Sequence, residues 1–405
     1  MDAPADDELA PTRAAPVAWD LSPRWQRFFG KLNTLLTVLT WCGFVVLLVN
    51  TDAQYNRYGP LLLIATVVPV LWLTLAIHEG GHWLSAHLFG MTTVRVIVGS
   101  LEIQPRRRGL RLRRRPCTGN SSIRGLVEAY AQPGCDPRRA LLVQALGGPL
   151  ANLLMAGAGL AIAFGSESPT SQKLWELFAF LNLSTGLSNL LPRATDGSAN
   201  DGLLFLQAWR NRHEQLAGAA SYEIHRWLLH SEPHEQLPEE LLGRLIAEPE
   251  PVPLVHDWFC FQHALQRGGA ETARRLLAQM QARFDTYDET LQAQNFAAME
   301  LCKIEGRYLQ AWTERDAAII DLVDPRTPVL WYVPHVLPRL RALAAALRGD
   351  RETARKQLVV SRRYAEGAIE PRLRAHEARL RREIEALIDA GPGSLHKDRE
   401  TVASA

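Results

Sequence analysis

Residues 71–90 read LWLTLAIHEGGHWLSAHLFG. The eighteen residues from Pro60 to Ile77 carry no charge, and then His78, Glu79 and His82 arrive before the apolar character has run out. Ionisable groups at membrane depth are costly, and those that persist usually mark function. Whether this segment spans a membrane, and what its three ionisable side chains do there, decides the fold.

A spanning helix takes about 20 mostly apolar residues, and four windows meet that requirement: 32–50, 60–89, 140–164 and 174–191. The last is interrupted by Glu176, Asn182 and Asn189. Orientation follows from the basic residues of the short loops. The loop 91–139 contains eleven arginines, whereas 51–59 holds only Arg57 and 165–173 only Lys173. This puts the amino terminus, the arginine-rich loop and everything after residue 192 on the cytoplasmic side. The second window then runs inward, with HEGGH about 26 Å along it at 1.5 Å per residue, near the cytoplasmic end.

Between the second and third windows, TTVRVIVGSLEIQP (92–105) alternates apolar with other residues, and GLRLRR (109–114) follows a basic turn. The pattern predicts a β-hairpin at the cytoplasmic face, and it equally suits a basic loop resting on anionic lipid headgroups. The first 24 residues are acidic and proline-bearing with no apolar core, which predicts a mobile cytoplasmic tail rather than a signal peptide. A second disordered tail is expected over 391–405. A net charge of +2 does not single out nucleic acid as a partner. Five scattered cysteines with no CxxC pair argue against a disulfide framework and suit a reducing compartment.

Past residue 202 the pattern becomes that of soluble helices. ALQRGGAETARRLL (264–277) is echoed by AALRGDRETARKQL (345–358), with LCKIEGRYLQAW (301–312) between them. Gly268, Gly306 and Gly349 are each expected at the turn of a helical hairpin, in a loose tetratricopeptide-like array closed by a capping helix over 371–388. Such a surface implies a cytoplasmic protein partner, or else an appendage that stabilises or dimerises the chain. The expected architecture is therefore mainly α. A multi-pass transmembrane bundle of about four helices with a short β-hairpin (25–206) is followed by a soluble all-α helical-repeat domain (207–390).

His78 and His82 are four residues apart, so on a helix they share a face and can grip one metal ion, with Glu79 beside them to handle the proton of an attacking water. Two imidazoles and a carboxylate suit Zn2+ and leave a fourth position open. The third ligand must come from another segment. NLLPRATDGSANDGLLF (189–205) offers two Asp-Gly steps, at Asp196 and Asp201, just past the proline that ends the fourth window. His87, five residues beyond His82, lies off the metal-facing stripe.

Taken together, HEGGH inside a span, GGPLAN (147–152) inside the next, and NLLP followed by Asp-Gly resemble the site-2 protease family of intramembrane zinc metallopeptidases, peptidase family M50. The motifs cover residues 60 to 206, half of the chain. The resemblance implies zinc held by His78, His82 and one aspartate, and Glu79 as general base. It also implies that Asn152 faces the active site and that the hairpin holds the substrate extended. Many members carry an LDGG step five residues after the proline, which this chain lacks. Others place Ser-Asp-Gly nine residues on, where Asn200, Asp201 and Gly202 fall, and this favours Asp201 over Asp196. The expected activity is cleavage of a membrane-associated protein or peptide at the cytoplasmic side of the bilayer. The rival expectation is a silent membrane scaffold that recruits a partner through its helical repeats. Forty arginines against five lysines, with abundant alanine and leucine, are typical of high-GC bacteria, so the expected location is a bacterial inner membrane with both termini cytoplasmic.

Overall fold

The structure is a computed structural model that describes residues 22–49, 59–114, 125–195, 198–210, 218–236, 238–248 and 252–390. Asp196, Cys117 and both expected tails, apart from residues 22–24, lie outside the described residues. The chain divides into two compact units between Ala219 and Ala220, somewhat beyond the expected boundary at 206.

In the first unit, α1 (Pro23–Val49), α2 (Gly59–Leu88), α3 (Pro137–Phe164) and α4 (Pro169–Leu190) match the four apolar windows. Among the described residues, Pro23–Val46 and Pro137–Phe164 are long and apolar enough to cross a membrane. Their outer faces carry large apolar side chains: Val38, Leu39 and Trp41 on α1, Leu150, Leu154 and Phe164 on α3, all exposed. The polar starts are capped locally. Asp136 accepts from the Arg138 N–H ahead of α3, and Ser168 does the same for Ser171 ahead of α4.

Glycines set how closely α2 and α3 approach. A Cβ on Gly81 would fall on the Gly147 carbonyl and the Ala151 side chain, and one on Gly147 would meet Ser85 and the Gly81 carbonyl. Only bare backbone on both sides permits that crossing, as in small-residue helix interfaces generally.

The loop after α2 builds more than the expected hairpin. β1 (Met91–Val98), β2 (Leu101–Pro105), β3 (Leu110–Arg114) and β4 (Gly125–Ala131) form an antiparallel sheet of order β3-β2-β1-β4. Val96 pairs with Ile103 on one side and Val127 on the other. One face is apolar, with Val96, Val98, Val127 and Ala129 packed with Leu75, Ala76 and Ala86 of α2. On the other, buried Glu102 sits between Arg95 and Arg113, at 2.7 and 2.6 Å. β4 was not anticipated, although GLVEAYA alternates and is bounded by loop residues. After α4 a two-residue ladder, β5 (Ala194–Thr195) with β6 (Ser198–Ala199), leads into α5 (Asp201–Arg210).

The second unit is helical throughout its described residues: α6 (Ala219–His230), α7 (Glu239–Ala247), α8 (Val252–Gln266), α9 (Ala270–Asp285), α10 (Glu289–Glu314), α11 (Ala318–Asp321), a 3-10 turn at Pro328–Trp331, α12 (Val336–Leu347), α13 (Arg351–Glu366) and α14 (Pro371–Ala390). The sequence echo is a structural one. Gly269 N–H donates to the Ala264 carbonyl and Gly268 N–H to Leu265, and Asp350 and Gly349 repeat both bonds onto Ala345 and Ala346. Gly268 and Gly349 have φ of +78° and +80°, the left-handed helix stop that glycine adopts without strain. Gly306 departs from the expectation. It lies inside α10, where a Cβ would strike Leu277 of α9, so this glycine serves helix contact and not a turn.

Candidate metal centre

α2 keeps its helical path through HEGGH, so His78 and His82 rise one turn apart on the face turned to α3, with ring centroids 4.7 Å apart. Both are buried, as is Glu79. Asp201 comes from the first turn of α5 and reaches both rings. Its Oδ2 lies 3.0 Å from His78 Nε2 and its Oδ1 3.3 Å from His82 Nε2, while the two Nε2 atoms are 3.2 Å apart. One ligand-type atom from each residue lies within 4.8 Å of the others. His87 is exposed and stands outside the group.

The hydrogen bonds behind the rings fix what the front atoms are. His78 Nδ1 lies 2.6 Å from Asn152 Oδ1. The Asn152 amide nitrogen is committed to the Thr74 carbonyl at 3.1 Å and to Asn182 Oδ1 at 2.8 Å, so Oδ1 is the acceptor and His78 Nδ1 donates. Asn182 is held in turn by the Phe178 carbonyl and by Thr74 Oγ1. His82 Nδ1 lies 2.6 Å from the Gln144 carbonyl, which can only accept. The 3.3 Å approach of the Gly148 N–H to the same nitrogen is therefore a packing contact. Each ring donates from its outer nitrogen, and in its neutral form each turns the Nε2 lone pair inward.

With neutral rings the centre presents two imidazole lone pairs and a carboxylate to one point, as the corners of a triangle. Three such atoms at this separation repel one another unless a cation lies among them, and a donor set of two imidazoles and one carboxylate matches zinc with its fourth position left for another ligand. His78, His82 and Asp201 could hold a metal ion.

Neighbouring backbone shapes the pocket. A Cβ on Gly148 would come within 2.8 Å of His78 Nε2 and closer still to the His82 ring, so only glycine lets α3 back the two imidazoles. Gly125, the first residue of β4, lies against the Glu79 carboxylate, where a Cβ would approach Glu79 Cγ to 3.1 Å. β4 is thereby brought next to the proposed general base.

Asp201 is positioned from both ends of α5. Asn200 accepts the Leu203 N–H at 3.1 Å as a helix cap, and its amide donates to the Leu191 carbonyl at 2.7 Å. A Cβ on Gly202 would collide with the Leu190 carbonyl, so glycine here allows α5 to start against the end of α4. At the far end, Arg138 of α3 donates to the Ala208 and Trp209 carbonyls at 2.7 and 2.5 Å. Of the residues named from sequence, the structure brings together His78, Glu79, His82, Asn152 and Asp201, and Asp196 lies outside the described residues. Missed were Gln144, Asn182, Thr74 and the clamp made by Asn200 and Arg138. Asn200 carried a readable signal, a cap residue just before an apolar run.

Compared with known proteins, the chain is matched by no family model, no curated protein and no solved structure.

Proposed function

We propose that the chain is a multi-pass membrane zinc endopeptidase of site-2 protease type. It would cut a membrane-associated protein or peptide at or just inside the cytoplasmic face of a bacterial inner membrane. The observation that carries this reading is the convergence of two Nε2 lone pairs and the Asp201 carboxylate, with outer nitrogens already committed to donating. Apolar outer faces on α1 and α3 support a membrane setting. The arginine distribution supports four spans, α1 to α4, with both termini cytoplasmic.

Zinc held by His78, His82 and Asp201 would supply Lewis acidity towards water and the scissile carbonyl. Glu79, buried one residue from His78, takes the proton of the attacking water and returns it to the leaving amide nitrogen. Asn152 and the Gln144 carbonyl hold the ligand rings in the one tautomer that presents lone pairs inward. β4 is the terminal strand of its sheet and begins at Glu79. A substrate segment added along it would be drawn out of helical form, exposing its peptide bonds beside the base.

The test is Glu79→Gln in the full chain in its own membrane, compared with the parent by proteomics of membrane fractions and by metal analysis of the purified protein. Loss of one or more cleavage products with zinc retained supports the protease. Identical peptide profiles in the two strains would overturn it in favour of a non-catalytic scaffold acting through the helical unit.

A further inference from the structure

Away from the candidate metal centre, α8 aligns a nucleophile, a base and an acid. On α8, His256, Asp257 and Cys260 lie within five residues, and the four-residue spacing sets Cys260 over His256 on one face. Cys260 Sγ is 3.5 Å from His256 Nε2, and His256 Nδ1 is 2.9 Å from Asp257 Oδ1. The other carboxylate oxygen, Oδ2, accepts from Arg283 Nε of α9 at 2.9 Å. A carboxylate paired with a guanidinium can only accept, so His256 Nδ1 donates to it, and Nε2 faces the sulfur. Hydrogen bonding to Asp257, then to Cys260, raises the imidazole to about 9, a base strong enough to hold a thiol proton. Asp257 is buried, while His256 and Cys260 are half-buried. Cys302 is the opposite case, fully buried and pushed by burial well above the usual thiol range.

We propose that Cys260 is a reversible covalent modification site for small electrophiles, with a hydroperoxide as its oxidant and a low-molecular-weight thiol as its second partner. The arrangement is that of an activated nucleophile: thiol, base, and an acid that orients the base. In the reactive state the sulfur is a thiolate facing the protonated His256 Nε2; as it attacks the terminal peroxide oxygen, the S–O bond forms and the O–O bond breaks. The departing alkoxide or hydroxide takes the Nε2 proton. Sulfur loses two electrons to become a sulfenic acid, and the peroxide is reduced to alcohol or water. A small thiol then condenses with the sulfenic acid, forming an S–S bond and releasing water. Reduction by a further thiol restores Cys260.

The experiment uses the full-length protein in detergent at pH 6.5 with limiting iodoacetamide, followed by peptide mass spectrometry, and N-acetylcysteine amide in the same tube as an unassisted thiol. Cys260 is expected to react at least about 10-fold faster than that small thiol, and His256→Gln to bring it back to the small-thiol rate. Asp257→Asn gives a smaller loss, since the ring keeps its place but not its polarisation. In parallel, hydrogen peroxide followed by dimedone labels Cys260 and leaves Cys302 untouched. The parent protein alone decides the matter should a variant fold poorly. If its Cys260 reacts no faster than the small thiol, or takes no dimedone after peroxide, the site is an ordinary thiol. An unchanged rate in a folded His256→Gln protein also overturns the proposal.

Discussion

Both units bury ionisable side chains, and they do so in opposite ways. In the helical unit Arg339 of α12 is fully buried and meets Glu305 of α10 at 2.6 Å and Glu377 of α14 at 3.2 Å, with its guanidinium 4.3 Å over the Tyr308 ring. Cation and anions come from the same chain, and His335 Nε2 lies 3.5 Å from Glu377 as well. In the first unit His78, His82 and Asp201 point three acceptors at one another. A buried ion pair has a structural reason to exist, whereas two neutral imidazoles turned on a carboxylate have none until a proton or a metal ion joins them. Burial of charge is the same observation in both places, and the signs of the partners tell architecture from function.

The largest effect that would break this distinction concerns Glu79. On the proposed protease reading, Glu79→Gln should reduce cleavage by roughly 10²- to 10⁴-fold, the usual contribution of a positioned general base, while bound zinc stays at the parent level. Loss of zinc together with activity would mean that Glu79 is a ligand, and that the triangle is drawn with the wrong corners.

Next in size is the contrast between Arg339 and Asp201. Arg339→Ala leaves Glu305 and Glu377 without their cation and should cost the helical unit about 3–5 kcal/mol in chemical denaturation. Replacing Glu305 and Glu377 with glutamine in the same variant should recover most of that loss. Asp201→Asn should do the reverse in metal-free protein, because an amide N–H facing the imidazole lone pairs removes repulsion. Its melting temperature should match or exceed that of the parent, and the rise in melting temperature on adding zinc should vanish. A metal-free Asp201→Asn protein that melts well below the parent would show the triangle to be self-sufficient.

Smaller again is the effect of the residues behind the ligands. Asn152→Ala removes the acceptor for His78 Nδ1 and releases the ring to its other tautomer, which should weaken zinc binding by about 10- to 100-fold in competition with a chelator. An unchanged affinity would show that the ring is held by packing against Gly148 alone.

These contrasts also mark what was legible in the sequence. HEGGH names two candidate ligands and a candidate base because a helix repeats every 3.6 residues and the motif needs no tertiary knowledge. Asp201 was legible only as one of two Asp-Gly steps, since its approach depends on Asn200 and Gly202 docking α5 against the end of α4. Asn182 was visible as a polar interruption of an apolar window, but its role beneath Asn152 depends on where α4 crosses α3. β4 was overlooked because its partner β1 lies nearly thirty residues earlier, with the arginines between them. In the helical unit, the repeated turns at Gly268 and Gly349 could be read because a left-handed stop is a local property. Gly306 could not, since the same residue type inside a helix answers to Leu277 across the contact.

The smallest predicted effect lies at the half-exposed relative of the Arg339 cluster, the His256–Asp257–Arg283 group, where pH sets the outcome. Hydrogen bonding to Asp257, aided by Cys260, raises His256 to about 9 in the folded state, above its ordinary value near 6.5. A group raised on folding stabilises fully below the unfolded value and loses its contribution as pH climbs through the folded one. The stability difference between the parent and His256→Gln should therefore be largest near pH 6, at roughly 1 kcal/mol after solvent screening, and close to nothing by about pH 10. Denaturant titrations of both proteins across that range measure it directly. A difference that stays flat from pH 6 to 10 would mean that His256 contributes packing and no charge, and it would separate this group from the ion-paired Arg339 cluster.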